Sequence, residues 1–435
     1  MTAALPTRSR LDEVLEPERF LWATGIEDTF ITDPWPATGR TLDEYELTEH
    51  YQRWPQDVDL VASLGVSAVR WGVPWHRVNP APDRWDWSFV DPVVDRFLER
   101  GIEPIVDLVH YGTPKWLEHG FLSADYPARV AEYAAAVADR YRGRLRWYTP
   151  FNEPRIAAWY CGRIGWWPPY RRSWRGFVQV LVAIARGIVA TDEALRATDR
   201  DLVLVHVDAT DVYASDDPTL ASETERRQQI VFLALDLVAG RVDGAHPLVD
   251  WIELHGIDDA TLDWFTAHRV ELDVVGINLY PMFTSKRLLR TGRGMRVKMV
   301  YAGGDLVERL GEAYGSRYRR PLMITETASL GGVRRRLAWL ETSTAAVARL
   351  RAQGVPVVGY TWWPLFSLVA WAYRQSGRRA VADYLLRMGL VDLEPTGQGL
   401  ARRPTAVYDA YRALCARGAA PVGALAAPPA AESGS

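Results

Sequence analysis

The sequence predicts an α/β protein folded as a single (β/α)8 barrel, the TIM barrel, with elaborated loops after its strands. Two observations predict it. Eight short runs rich in apolar, β-branched and aromatic residues start near Phe20, Ser67, Pro104, Arg146, Leu202, Val274, Pro321 and Pro356. A helical pattern follows each run, and alternation of strand with helix favours a parallel sheet with crossover helices. Eight such units favour closure of that sheet on itself. The 435 residues exceed an average domain, but barrels of this class run long as one unit, and 48% apolar content supplies the core.

Taken in order, residues 1–18 read as an N-terminal extension carrying Arg8, Arg10 and four acids, with no apolar segment of signal-peptide length. The barrel is expected over residues 19–415. Between strands, Tyr126 to Tyr141 places Val130, Tyr133, Ala134, Val137 and Tyr141 on one helical stripe. Arg334 to Gln353 does the same with Leu337, Leu340, Val347 and Leu350. Gly65, Gly101 and Gly354 each stand just past a last helical turn, where only glycine takes a left-handed backbone without a Cβ clash. The longest interval between strands runs from Leu202 to Val274 and carries a helical pattern from Ser222 to Ala239, then Gly- and Pro-bearing connections. It predicts an additional lobe over the face at the strand ends. Met295 to Asp305 is flanked by glycine and reads as a mobile loop. Residues 416–435 hold almost no large apolar side chain and read as a disordered tail.

Composition excludes several classes. A formal net charge of -3 supplies no basic footprint for nucleic acid. No run approaches the roughly 18 apolar residues that span a bilayer, so the expected location is the cytoplasm, free of membrane. Cys161 and Cys415 form no metal-ligand pattern and are expected as two free thiols rather than one disulfide. No metal cluster and no glycine-rich nucleotide motif is present, so no cofactor is expected. Oligomeric state is not readable. The nineteen tryptophans include Trp71, Trp75, Trp166, Trp167, Trp362, Trp363 and Trp371 near strand ends, where an indole serves equally to stack on a sugar ring or to fill the core.

The chemistry centres on Phe151-Asn152-Glu153-Pro154, which follows the short strand-like run from Arg146. Glu153 thus stands just past a strand end, where a barrel places catalytic groups. Glu326, in Pro321-Leu-Met-Ile-Thr-Glu326, stands at the end of another strand. A pair of carboxyls so placed suits glycoside hydrolysis, with one as acid/base and the other as nucleophile. Arg70, inside a buried-looking strand, is a fixed cation able to lower the pKa of Glu326. Tyr280 can donate to the same carboxylate. Glu153 must stay protonated to serve the leaving oxygen, and a neighbouring carboxylate raises its pKa by repulsion. Retention then requires a separation of about 5–5.5 Å between the two.

The ordered motifs resemble glycoside hydrolase family 1, the retaining β-glucosidase and 6-phospho-β-glucosidase family, over roughly residues 20 to 414. The marks are Phe20-Leu21-Trp22, Arg70 and Trp75 in Val-Arg-Trp-Gly-Val-Pro-Trp, and Pro104 to His110. Asn152-Glu153-Pro154, Gly276-Ile-Asn278-Leu-Tyr280, Ile324-Thr325-Glu326, Trp363 with Trp371, Gly389 to Asp392, and Arg403-Pro404 follow in order. The resemblance implies a small-molecule glycoside as substrate, with Asn152 on the sugar 2-hydroxyl, His110 on another hydroxyl and Trp363 as a stacking floor. Two departures stand out. No Gln follows the first strand, and Glu27 is the nearest polar substitute. The family's β-glucosidases carry a Glu directly before the second Trp of the last motif, and here that place is Ala370, beside Trp371. The phospho-sugar branch lacks that Glu and uses basic residues. Arg374, Arg378, Arg379 and Arg387 are candidates for such a cluster, although composition favours a solvated Arg-rich insertion. The expected activity is therefore retaining hydrolysis of a β-O-glycoside whose sugar is deoxy, phosphorylated or otherwise modified. The alternative is a barrel of this family with hydrolysis lost or redirected, acting as a transglycosidase or on a non-sugar natural product.

Overall fold

The structure, a computed structural model, describes Glu16 and residues 19–292, 294–377 and 379–418. The expected extension, apart from Glu16, and the expected tail beyond residue 418 lie outside the described residues. Eight parallel strands close into a ring: β1 (Leu21–Gly25), β2 (Ala68–Gly72), β3 (Glu103–Asp107), β4 (Trp147–Thr149), β5 (Val203–Ala209), β6 (Val274–Asn278), β7 (Leu322–Thr327) and β8 (Val357–Trp362). Each pairs with the next, and β8 pairs back to β1 with Leu21 opposite Gly359.

The outer ring is α1 (His50–Ser63), α2 (Val90–Glu99), α3 (Tyr126–Arg140), α4 (Trp174–Thr198), α5 (Ala221–Val238), α6 (Asp305–Tyr318), α7 (Val333–Ala352) and α8 (Ala406–Cys415). The stripe read on α3 is its buried face, with Val130, Tyr133, Ala134 and Val137 all inside. Gly65, Gly101 and Gly354 hold φ of +72°, +70° and +86°, the left-handed backbone that a helix exit into a strand requires. Both cysteines are free and buried.

Alternation along the strands sets where the site lies. Leu21, Ala23, Ala68, Ile105, Trp147, Val203, Val205, Val207, Val274, Met323 and Val358 face the axis and pack as one apolar plug. Two residues beyond Ala68 on the same face comes Arg70, and two beyond Ile105 comes Asp107, both buried. The filling of the ring therefore turns from apolar to charged near the carboxyl ends of the strands.

Two loop expectations are corrected. The long interval after β5 does carry two extra helices, Val249–Leu254 and Asp259–Ala267, but they lean on the outer helices rather than over the strand ends. Trp251 meets Trp174 of α4 edge-on and Phe177 at a tilt, and Gly240, just past α5, abuts the carbonyl of Phe265. Met295–Asp305 is no loose loop in its first half: Gly294–Met299 pairs antiparallel with Ser285–Thr291, which pairs in turn with Val212–Ala214. Met295-Arg-Val-Lys-Met299 alternates apolar with cationic residues, the period of a strand, but its charges and flanking glycines read as loop.

Candidate active site

Arg70 reaches the site from inside β2 and is fully buried. Glu326 reaches it by an irregularity. The register of β7 slips against both neighbours around Thr325 and Glu326, a bulge that turns two successive side chains toward the axis. The Thr325 hydroxyl donates to Asn278 Oδ1 at 2.7 Å, and Arg70 Nη1 donates to Glu326 Oε1 at 2.7 Å and to the Thr325 carbonyl at 3.0 Å. Beyond β4, Asn152 bridges to Val207 of β5, and the Glu153 N–H donates to the Val207 carbonyl at 3.3 Å. Glu153 holds a φ of +51°, a left-handed backbone that costs a non-glycine residue roughly 1 kcal/mol or more and gathers at functional sites.

Each carboxyl has its own donors. Glu326 Oε2 accepts from the Tyr280 hydroxyl at 2.7 Å. Glu153 Oε1 accepts from Asn278 Nδ2 at 2.8 Å, and its Oε2 is hydrogen-bonded by the Tyr111 hydroxyl. Asn152 links the two halves: its Oδ1 accepts from Arg70 Nη2 at 3.0 Å and Asn278 Nδ2 at 3.2 Å. Its Nδ2 donates to the Tyr111 hydroxyl at 3.2 Å and meets His110 Nε2 at 2.9 Å. On its other side His110 Nδ1 lies 2.7 Å from Asp28 Oδ1, while Arg70 Nη2 donates to Asp107 Oδ2 at 2.6 Å.

Burial dominates the electrostatics. It pushes the Glu326 carboxyl up to about 8, with Arg70 pulling it down and Glu153 pushing it further up. Glu153 is raised as well, by burial, against the donors Tyr111 and Asn278. The expectation that Arg70 would set the sign for Glu326 is therefore corrected: the guanidinium is in place, but the dry surroundings outweigh it. The pair is better described as sharing protons than as two independent acids. Arg70 ion-pairs with Glu326, and among the described residues no cation ion-pairs with Glu153, so negative charge is better placed on Glu326 and the proton on Glu153. Burial disfavours a charged His110, yet Asp28, Asp107 and Glu27 more than offset it and raise the imidazole well above its ordinary value. Asp28, Asp107 and His110 bring ligand atoms within 4.8 Å of one another, as a metal site needs. Arg70 on Asp107 already fills the cation's place there.

Aromatic rings wall the site. Trp363 stacks on His110 at 5.6 Å and 16°, and its indole N–H donates to Glu27 Oε2 at 3.0 Å. Glu27 is buried beside the pair's network, its other oxygen taken by the Thr29 hydroxyl. Gly25 is required here: a Cβ at this position meets the Trp363 ring at 1.9 Å. Trp371 packs edge-on against Tyr111, Tyr160 and Trp167 with centroids 5.1–5.4 Å apart, and its indole N–H has no hydrogen-bond partner among the described residues. The structure thus brings together Glu153, Glu326, Arg70, His110, Asn152, Tyr280, Trp363, Trp371 and Glu27.

The basic cluster is not built as a phosphate site. Arg374 is buried and donates to the carbonyls of Asp33 and Trp166 and to the Tyr170 hydroxyl. Arg379 and Arg387 are exposed, and Arg378 lies outside the described residues. Sequence reasoning missed Tyr111, Asp28, Asp107 and Glu44, and gave Asn278 a place in a motif but no role. Tyr111 and Asp107 flank the third strand end that drew attention to His110, so their positions carried the signal. Asp28 comes from a loop and Glu44 from the short helix Glu44–Leu47, both before α1, and their return to the site has no local sequence mark.

Residues 23–245 match the family described as Glycosyl hydrolase family 1. The chain is 27% identical, across 91% of its length and 94% of the relative's, to a bifunctional beta-D-glucosidase/beta-D-fucosidase of Bifidobacterium breve. It is 25% identical to a 6-phospho-beta-glucosidase of Dickeya chrysanthemi, across 92% of this chain and 97% of that one. A more local match, 34% identical over 167 residues, covers 33% of this chain and 34% of a thermostable beta-glucosidase B of Thermobispora bispora. Among solved structures, a beta-glucosidase from Thermotoga maritima in complex with castanospermine superposes with a TM-score of 0.80 at 18% identity, covering 93% of this chain and 99% of that one.

Proposed function

Because the chain belongs to glycosyl hydrolase family 1 and is a glycoside hydrolase, we propose that it cleaves a β-O-glycoside with retention of configuration, Glu326 acting as nucleophile and Glu153 as acid and base. The observation that carries the reading is the pairing of donors. Arg70 and Tyr280 both hold Glu326, leaving it the better site for negative charge. Glu153, with neutral donors only, is the better site for the proton.

In the first step a Glu326 oxygen attacks the anomeric carbon, the bond to the leaving oxygen breaks, and the Glu153 proton passes to that oxygen. The ester so formed on Glu326 is neutral. Its repulsion of Glu153 vanishes, the pKa of Glu153 falls, and the ionised carboxylate takes a proton from an attacking water in the second step. Asn152 is the candidate donor to the 2-hydroxyl, where bonding strengthens as oxocarbenium character develops. His110, Glu27, Trp363 and Trp371 are the remaining candidate sugar contacts.

The sugar differs from plain glucose at the edge facing Ala370, where no acidic side chain replaces the missing acceptor in that loop. A site that lacks the acceptor for a hydroxyl does not discriminate for that hydroxyl. A phosphorylated sugar loses its support with Arg374 bonded to the protein's own carbonyls. The test is an aryl β-glycoside panel on the parent and Glu326→Ala, with the anomer first released followed by proton NMR. The reading expects the β-anomer first and loss of turnover in the variant. Release of the α-anomer, or a variant as active as the parent, overturns it.

A further inference from the structure

Pairing off the charges of the buried site leaves two carboxyls over. Arg70 answers Asp107 and Glu326, and His110 answers Asp28. Glu153 carries a proton in the reading above. Glu27 and Glu44 remain. Glu27 accepts from Trp363 and Thr29, both neutral, and His110 Nε2 stands 3.8 Å away, beyond hydrogen-bond reach. Glu44, first residue of the short helix Glu44–Leu47, is fully buried. Its Oε2 accepts from the Val369 N–H at 3.0 Å, and its Oε1 has no hydrogen-bond partner among the described residues.

Three facts place Glu44 at the sugar site and not in an isolated corner. Its backbone N–H donates to the Thr29 carbonyl at 2.9 Å, and the Thr29 hydroxyl donates to Glu27, so Glu44 stands beside the turn that carries Glu27. The loop it holds is the one that carries Ala370 and Trp371. Ala370 is half-buried and its single methyl adds no polar group to that edge. A buried carboxylate oxygen left without a donor is costly, and a ligand donor removes that cost. A hydroxyl offers one donor and no charge. A primary ammonium offers three donors and a positive charge, and so can serve Glu44 Oε1 and Glu27 at once.

We propose that Glu44 and Glu27 form an anionic edge of the sugar site that selects a glycone bearing a protonated primary amine on the ring edge remote from the scissile bond. The proposal rests on the glycosidase reading for the presence of a sugar in this space, and adds the chemical class of that sugar. Burial raises the Glu44 carboxyl well above the ordinary range, with Glu27 pushing the same way, and an ammonium beside it acts in the opposite sense by favouring the carboxylate.

Calorimetry on the whole chain at pH 7 tests this with methyl β-D-glucopyranoside and its 4-amino-4-deoxy and 6-amino-6-deoxy counterparts. One amino glycoside is expected to bind at least about tenfold tighter than the neutral sugar. In Glu44→Gln the ratio is expected to fall to about one. Ala370→Lys, which sets a competing ammonium beside Glu44 without altering it, is expected to do the same and decides the matter if Glu44→Gln does not fold. Equal or weaker binding of both amines by the parent, or a ratio kept in a folded variant, overturns the proposal. An amine preference in a protein that turns over no aryl β-glycoside overturns the hydrolytic reading and leaves this one standing. Turnover without an amine preference does the reverse.

Discussion

Replacing Tyr280 by phenylalanine removes one hydroxyl from the nucleophile and little else. The ring keeps its edge contact with Phe283 at 6.1 Å. What is lost is the donor 2.7 Å from Glu326 Oε2, while the Arg70 bond to Oε1 stays. A hydrogen bond to a charged acceptor contributes about 1.5–3 kcal/mol. That energy favours the carboxylate over the neutral acid, so its loss raises the Glu326 pKa further, by roughly one to two units at about 1.4 kcal/mol per unit. The shared proton then moves from Glu153 to Glu326, which is the unproductive arrangement. The share of productive molecules falls about 10- to 100-fold, and kcat/KM falls with it. The assay is kcat/KM for a 4-nitrophenyl β-glycoside from pH 4 to 10. In the parent, the alkaline limb is expected near 8, where burial has carried Glu326 and where the pair loses its last proton. In Tyr280→Phe the plateau is lower and the alkaline limb lies at higher pH. A variant within twofold of the parent, with both limbs unmoved, refutes the assignment of Tyr280 and Arg70 as the groups that keep charge on Glu326.

Three further outcomes follow from the same contacts. Glu153→Gln keeps the Asn278 bond to one side-chain oxygen but has no acid proton to give. Turnover of a substrate with a poor leaving group should drop about 100-fold or more, one with a 2,4-dinitrophenolate leaving group should still form the ester, and azide should accelerate its breakdown. Asp208 faces away from the axis with both carboxylate oxygens buried and without a hydrogen-bond partner among the described residues, and burial raises it well above the ordinary range. Its raised folded pKa means the unfolded chain binds fewer protons above about pH 4, so the parent loses stability as pH rises through that window. Asp208→Asn is expected to melt about 3 °C or more above the parent at pH 8 and within about 1 °C of it at pH 3, by calorimetry. Arg374→Ala is expected to lower stability by about 3 kcal/mol or more, because it empties a buried site and takes the donors from the carbonyls of Asp33 and Trp166, and to leave the ratio of activity on phosphorylated and plain glycosides unchanged.

Strand order and the level of the site were legible because both follow local rules. Inward alternation from Ala68 to Arg70 and from Ile105 to Asp107 is a property of two residues' spacing, and so is the place of His110 after β3. Glu326 was found at the right strand for an incomplete reason. Simple alternation from Met323 turns Thr325 inward and Glu326 outward, and only the bulge in β7 brings both to the axis. A bulge depends on the neighbouring strands and leaves no mark in six residues. Sign of charge failed for a related cause: the Arg70–Glu326 bond was foreseeable, but the dryness around it is made by Tyr111, Trp363 and Trp371, which come from the connections after β3 and β8. Arg374 illustrates the opposite error. An arginine in a run of arginines reads as solvated or anion-binding, yet its partners are backbone carbonyls hundreds of residues away. Glu44 was silent for the same reason, since its one bond goes to Val369 across 325 positions.

The central claim is that Glu326 is the atom-for-atom acceptor of the sugar. Incubation with a 2-deoxy-2-fluoro glycoside bearing a dinitrophenolate leaving group, followed by peptic digestion and mass spectrometry, tests it most directly. The account predicts a single adduct of one fluorosugar on the peptide holding Ile324-Thr325-Glu326, abolished in Glu326→Gln. An adduct on Glu153, or inactivation without any adduct on Glu326, contradicts it.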